Sequence, residues 1–130
     1  MMSDWCEELN AAWNERKGPV VFATVSPEGR PNVVYVTWVK RFGESLLLAD
    51  NYFDKTKSNI ENGSPGAVVF LTKQGASYQV KGSIEYQTSG EAFDEMKAWL
   101  PDPERFPGHG AALLHIEEVY SNRYGSKRIQ

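Results

Sequence analysis

The chain has 130 residues, a formal net charge of −3 and a pI near 5.4, with 41% hydrophobic and 24% charged residues. That length suits one domain burying about two thirds of its unfolded surface without staples, and the acidic balance disfavours a general electrostatic binder of nucleic acid. The single cysteine, Cys6, builds neither an intramolecular disulfide nor a multi-cysteine zinc site and suits a reducing compartment.

Residues 4–17 are predicted helical. Trp5, Leu9, Ala12 and Trp13 share a stripe, Asp4 and Glu7 form a capping-box variant, and Gly18-Pro19 is a stop. Val20–Val25 and Asn32–Lys40 read as strands joined by the turn Ser26–Arg30. Ser45–Asp50 is a further strand, and a short helix over Thr56–Glu61 ends at Asn62-Gly63. Ala67–Thr72 and Ser77–Gln87 form another hairpin, and the interior glycine, Gly82, predicts a bulge, a bend or a close backbone approach. Thr88 and Glu91 are spaced as the capping box of a third helix, which Pro101 stops. Pro101–Gly110 is a loop, Ala111–Ile116 a core strand, and 117–124 a further irregular strand. Hairpin-linked strands with three interspersed helices imply an antiparallel sheet closing on itself. Met1–Trp5 lacks the regions of a signal peptide and no apolar run reaches membrane-span length, so a cytoplasmic protein is expected.

The richest segment is Asn51–Ile60, where a strand leaving the core meets a helix start carrying Lys55, Thr56, Lys57 and Asn59. Free N–H groups beside a lysine and a hydroxyl suit a phosphate dianion. Read alone, the segment favours the plainer account of a helix N-capped by Asp54 with solvated lysines. The strand Val34–Lys40 is apolar on both faces, as in a core, an oligomer interface or a wall against a planar ligand. On Ser77–Gly82, Gln79 has the amide to meet an imide-like edge, and it shares a face with Lys81. His109 and His115 lack metal-ligand spacing, and Asp4, Glu7 and Glu8 are poor neighbours for a reactive Cys6 thiolate. No dinucleotide fingerprint, Walker motif or nucleophile elbow is present.

In order, these pieces run Gly-Pro, a Pro-Glu-Gly-Arg-Pro hairpin, Val-Thr-Trp-Val-Lys, Ala-Asp-Asn-Tyr-Phe-Asp-Lys-Thr-Lys-Ser-Asn-Ile, Tyr-Gln-Val-Lys-Gly-Ser and a Ser-Gly-Glu helix. Over nearly the whole chain this series resembles the pyridoxamine 5′-phosphate oxidase-like, FMN-binding split-barrel family, in particular its short prokaryotic members. The resemblance implies a mainly β, six-stranded antiparallel split barrel and a homodimer with FMN at the subunit interface. It implies that Val36, Thr37 and Trp38 edge the flavin and that Ala49, Asp50 and Asn51 pass the ring and ribityl chain. It further implies that Lys55 and Thr56 hold the phosphate and that Tyr78 and Gln79 approach from the partner. Lys40 or Lys81 is the candidate positive group near the flavin's pyrimidine end.

There are departures. The family's vitamin B6 oxidases carry an arginine on the early strand, where this chain reads Asn32-Val33-Val34-Tyr35. Their C-terminal arginine motif is not recognisable in Ser121–Gly125. The expected function is therefore a flavin-dependent oxidoreductase acting on a small molecule or electron carrier, rather than B6 oxidation. The alternatives are a non-enzymatic flavin carrier or electron-transfer module, or a scaffold without cofactor. Some family members bind haem or a deazaflavin, but the Lys-Thr pair and the absence of a well-placed histidine favour FMN.

Overall fold

The computed structural model describes residues 5–130. Helix α1 (Glu7–Asn14) is followed by strands β1 (Arg16–Val25), β2 (Pro31–Val36), β3 (Val39–Phe42) and β4 (Ser45–Asp50). Helix α2 (Lys55–Glu61), strands β5 (Gly66–Thr72) and β6 (Ser77–Gln87), helix α3 (Glu91–Trp99) and strands β7 (Gly110–Ser121) and β8 (Lys127–Arg128) complete it. Every pairing is antiparallel, in the order β2-β1-β5-β6-β7-β4-β3, with β8 added to β7. Inward residues of all seven strands of this path, among them Phe22, Val36, Val39, Leu48, Phe70 and Leu114, join one buried cluster. The sheet therefore curls around a single core as a split barrel, and α1 plugs it with Trp5, Leu9 and Trp13, all buried. No helix among the described residues is long and apolar enough to cross a membrane.

Eight strands replace the six expected. The run Asn32–Lys40 breaks at Thr37-Trp38 into β2 and β3, and β8 is additional. The break is the split itself, because β2 and β3 are the two ends of the sheet and those two residues join them. The first helix is shorter than predicted. Cys6 takes its N-cap position in extended backbone, and Asp4 lies outside the described residues. At the other end, Arg16 and Lys17 already pair with Thr72 and Leu71, and Gly18, at φ +75°, carries the chain through an irregularity before Val21. The predicted caps also differ. Asp54 flanks α2 without a side-chain cap, and α3 starts from Gly90 rather than from a Thr88–Glu91 box.

Strand β4 is buried on both sides. Leu46 and Leu48 face the barrel, while Leu47 and Ala49 face a second cluster beneath α3 with Met96, Leu100 and Leu113. Gly82 sits at the bulge between Lys81 and the β7 pairing, and a Cβ there would lie 1.8 Å from the His115 carbonyl oxygen. The outward face of β2, β1, β5 and β6 is largely apolar. Register places Tyr35, Val21, Val69 and Gln79 in one row and Val33, Ala23, Ala67 and Lys81 in the next. Val33 is 60% exposed and Tyr35 77%.

Candidate functional site

Sequence alternation along β2 sends Asn32, Val34 and Val36 to one side of the strand. Two adjoining depressions use that side. The first, of about 310 Å³, lies over the split and is lined by Val34 and Val36 together with Thr37, Trp38, Ala49 and Asn51. Tyr35, Tyr52, Phe53 and Phe106 complete it. Its side chains include no carboxylate, lysine, arginine or histidine. The second, of about 180 Å³, is polar and gathers Arg30, Asn32, Lys55, Ser58 and Asn59, with Glu28 and Ser26 beside them. From Asn32 to Val36 the strand advances about 13 Å. An apolar slot and a pocket holding two cations thus lie along the same strand.

Five of the predicted residues, Val36, Thr37, Trp38, Ala49 and Asn51, come together in the slot, and Lys55 lines the cationic pocket. The break after Val36 is what turns Thr37 and Trp38 toward the slot. Trp38 packs edge-on to Trp99 at 5.3 Å and tilted against Phe106 at 5.2 Å, which makes one end of the slot an aromatic wall. The Asn51 side chain accepts a hydrogen bond from Gly108 N–H at 2.9 Å, and Tyr52 Oη donates to the Arg105 carbonyl at 2.8 Å. These bonds tie the loop bearing Phe106 to the segment after β4.

Asp50 and Thr56 are buried and turned to structural partners. Asp50 Oδ1 accepts from Phe53 N–H at 2.8 Å, and Oδ2 accepts from Tyr86 Oη at 2.5 Å. Burial, and then this hydrogen bond to Asp50, pushes the Tyr86 phenol well above its ordinary range. Thr56 Oγ1 accepts from the Asn32 amide at 2.9 Å and so holds the Asn32 side chain, which lines the cationic pocket, while Thr56 itself lies beneath that lining. Tyr78 lies in the barrel core, stacked on Phe70 at 5.6 Å and donating to Glu8 at 2.9 Å. Burial and that carboxylate raise its phenol too. Gln79 points the other way, onto the outward sheet face, away from the slot of its own chain.

Neither candidate flavin-facing lysine lines the slot. Lys40 pairs with Glu95 at 2.8 Å and lies over Trp99, and Lys81 lies over Tyr120 with Glu118 opposite. His109 is exposed, and His115 bridges Ser45 and Glu85 at 2.9 Å on each side. No group of metal-ligating side chains occurs among the described residues. Sequence reasoning missed Phe106, which is remote in the chain and carries no motif. It also missed Arg30, although a cation in the turn just before β2 was a readable signal.

A family model for pyridoxamine 5′-phosphate oxidase matches residues 7–123. An uncharacterised protein of Methanocaldococcus jannaschii is 33% identical over 113 residues, which is 82% of this chain and 74% of that protein. Among solved structures, HupZ of Group A Streptococcus is similar with a TM-score of 0.77 at 22% identity, covering 98% of both chains. An FMN-binding protein of Syntrophomonas wolfei aligns with a TM-score of 0.69 at 20% identity, covering 87% of this chain and 80% of that one. A heme-binding protein of Mycobacterium smegmatis aligns with a TM-score of 0.72 at 14% identity, covering all of this chain and 59% of that one. These structural likenesses bear on the fold alone; the family match and the archaeal relative decide the lineage. The chain belongs to the pyridoxamine 5′-phosphate oxidase family.

Proposed function

We propose that this protein binds FMN and serves as a flavin-dependent oxidoreductase toward a small molecule or an electron carrier. The observation that carries this reading is the placement of an apolar slot and a two-cation pocket along the same strand, β2. An isoalloxazine needs a flat apolar cavity of a few hundred Å³, and its phosphate needs cations and neutral donors. Val34, Val36, Trp38 and Ala49 supply the first; Lys55, Arg30, Asn32 and Ser58 supply the second. Helix α2 has only seven residues, so the charged side chains rather than the helix terminus carry the phosphate role. Arg30 supplies from the turn a cation that the strand itself lacks. When bound, FMN supplies the hydride or electron acceptor, and the chain's residues hold it and exclude water. The heme alternative finds no histidine in the slot.

The same reading takes the protein as a homodimer joined through the outward face of β2, β1, β5 and β6. That face is apolar, it includes Val33 and Tyr35 on the strand that walls the slot, and it would carry Gln79 to a partner's cofactor. Tyr78, locked in the core, would support Gln79 without contact.

The test is titration of FMN fluorescence with the purified protein, alongside its visible spectrum. Saturable quenching is expected, and Lys55→Ala should weaken binding about 10- to 100-fold through loss of a charge-assisted bond. A wild-type protein that neither quenches FMN nor takes on flavin absorption ends the proposal. Turnover with a reduced nicotinamide and a panel of acceptors separates an enzyme from a carrier, which would accept electrons only from a protein donor.

A further inference from the structure

The segment 51–54 has two duties in the FMN reading. It lines the slot through Asn51, Tyr52 and Phe53, and it delivers Lys55 to the cationic pocket. It has no regular secondary structure of its own, so something must fix where it leaves β4 and where it enters α2. Besides the bonds of Asn51 to Gly108 and of Tyr52 to Arg105, the structure supplies a brace that reaches both ends. At the start, the Asp50 carboxylate is 1% exposed and receives Phe53 N–H on one oxygen and Tyr86 Oη on the other. At the far end, Lys57 Nζ lies 5.6 Å from the centre of the same Tyr86 ring. The ring lies across Gly110, where a Cβ would sit 2.2 Å from Tyr86 Cζ, so the missing side chain makes room for it. Gly110 is also the register partner of Asp50.

We infer that Asp50 and Tyr86 are a positioning pair for the phosphate end of the cofactor site, holding the segment that aims Lys55 without touching the ligand. The inference rests on the FMN reading, and it gives Asp50 a different role from a direct contact. Most of the slot is anchored separately, Trp38 by its packing on Trp99 and Phe106, and Asn51 and Tyr52 by their bonds to Gly108 and Arg105. Loosening the brace should therefore cost affinity for the phosphate more than for the ring.

Riboflavin and FMN differ only in that phosphate, so the ratio of their dissociation constants isolates it. Lys55→Ala sets the scale by removing the charge. Tyr86→Phe deletes one hydroxyl while keeping the ring over Gly110, and it should weaken FMN roughly five- to tenfold, the usual range for one lost bond to a charged group. Riboflavin affinity should change less than twofold on the same scale. Asp50→Asn, a second route to the same loss, should lower the ratio likewise. Equal weakening of both flavins makes the pair a general brace and overturns the inference, as does an unchanged ratio. Amide exchange of the unliganded protein reads the brace independently. Tyr86→Phe should speed exchange at residues 51–55 and leave β5 to β7 protected, and unchanged exchange at that segment also overturns it. Failure of the wild-type protein to bind either flavin sinks the FMN reading instead, and with it the cofactor role, while the exchange data still decide whether the brace exists.

Discussion

Tyr86 shows how one residue joins stability to the site. Burial and the Asp50 carboxylate hold its proton in the folded state beyond the pH at which an unfolded tyrosine gives it up. Above pH ~10 the unfolded chain therefore binds fewer protons than the folded one, and stability falls as pH rises. Denaturant unfolding of wild type and Tyr86→Phe from about pH 9 to about pH 11, around the range of an ordinary phenol, should show the difference in slope; parallel curves would contradict it. At this scale the sequence was legible by neighbourhood more than by contact. Thr37, Trp38, Ala49 and Asn51 do line the slot, yet Asp50 and Thr56, read as ligand contacts, turn to Tyr86 and Asn32. A local motif does not reveal a tyrosine 36 residues away waiting to take the carboxylate.

At the scale of elements, periodicity placed the strands well because each inward residue repeats every second position. It missed the break at Thr37-Trp38 because Val, Tyr, Thr and Trp favour strand on either side of it. Only the need to leave the barrel at its split ends β2 there. Two caps read from local spacing do not form: α3 begins at Gly90 rather than from a Thr88–Glu91 box, and Asp54 flanks α2 without a side-chain bond. Gly82 was legible, since a glycine inside a long strand implies a close approach, and the bulge against the His115 carbonyl is one. Gly82→Ala should cost at least about 3 kcal/mol, because the obstacle is backbone and cannot rotate away. Thermal unfolding should register a fall in Tm of about 10 °C. A change of a degree or two would mean that β6 and β7 part more easily than their pairing implies.

For the whole molecule, the outward sheet face links the proposed assembly to the site, since β2 belongs to both. Val33→Asp together with Val69→Asp, neither of which lines the slot, should shift the proposed dimer to monomer in sedimentation velocity, and FMN affinity should fall with it if Gln79 completes the partner's slot. A monomeric wild-type protein would remove that second effect. The face was only half legible in sequence: a strand apolar on both sides was visible, but which side meets the core and which stays open depends on the curl of the sheet. That curl has another result. β2 has one neighbour and β3 has one neighbour, so each borders the split with an edge that no strand meets. Main-chain N–H and C=O groups along such an edge are left without ladder partners. A ring system whose rim alternates donors and acceptors can be read by that bare main chain. Recognition of this kind needs no particular side chain, so the slot can be lined by Val, Ala and Trp and still discriminate polar atoms.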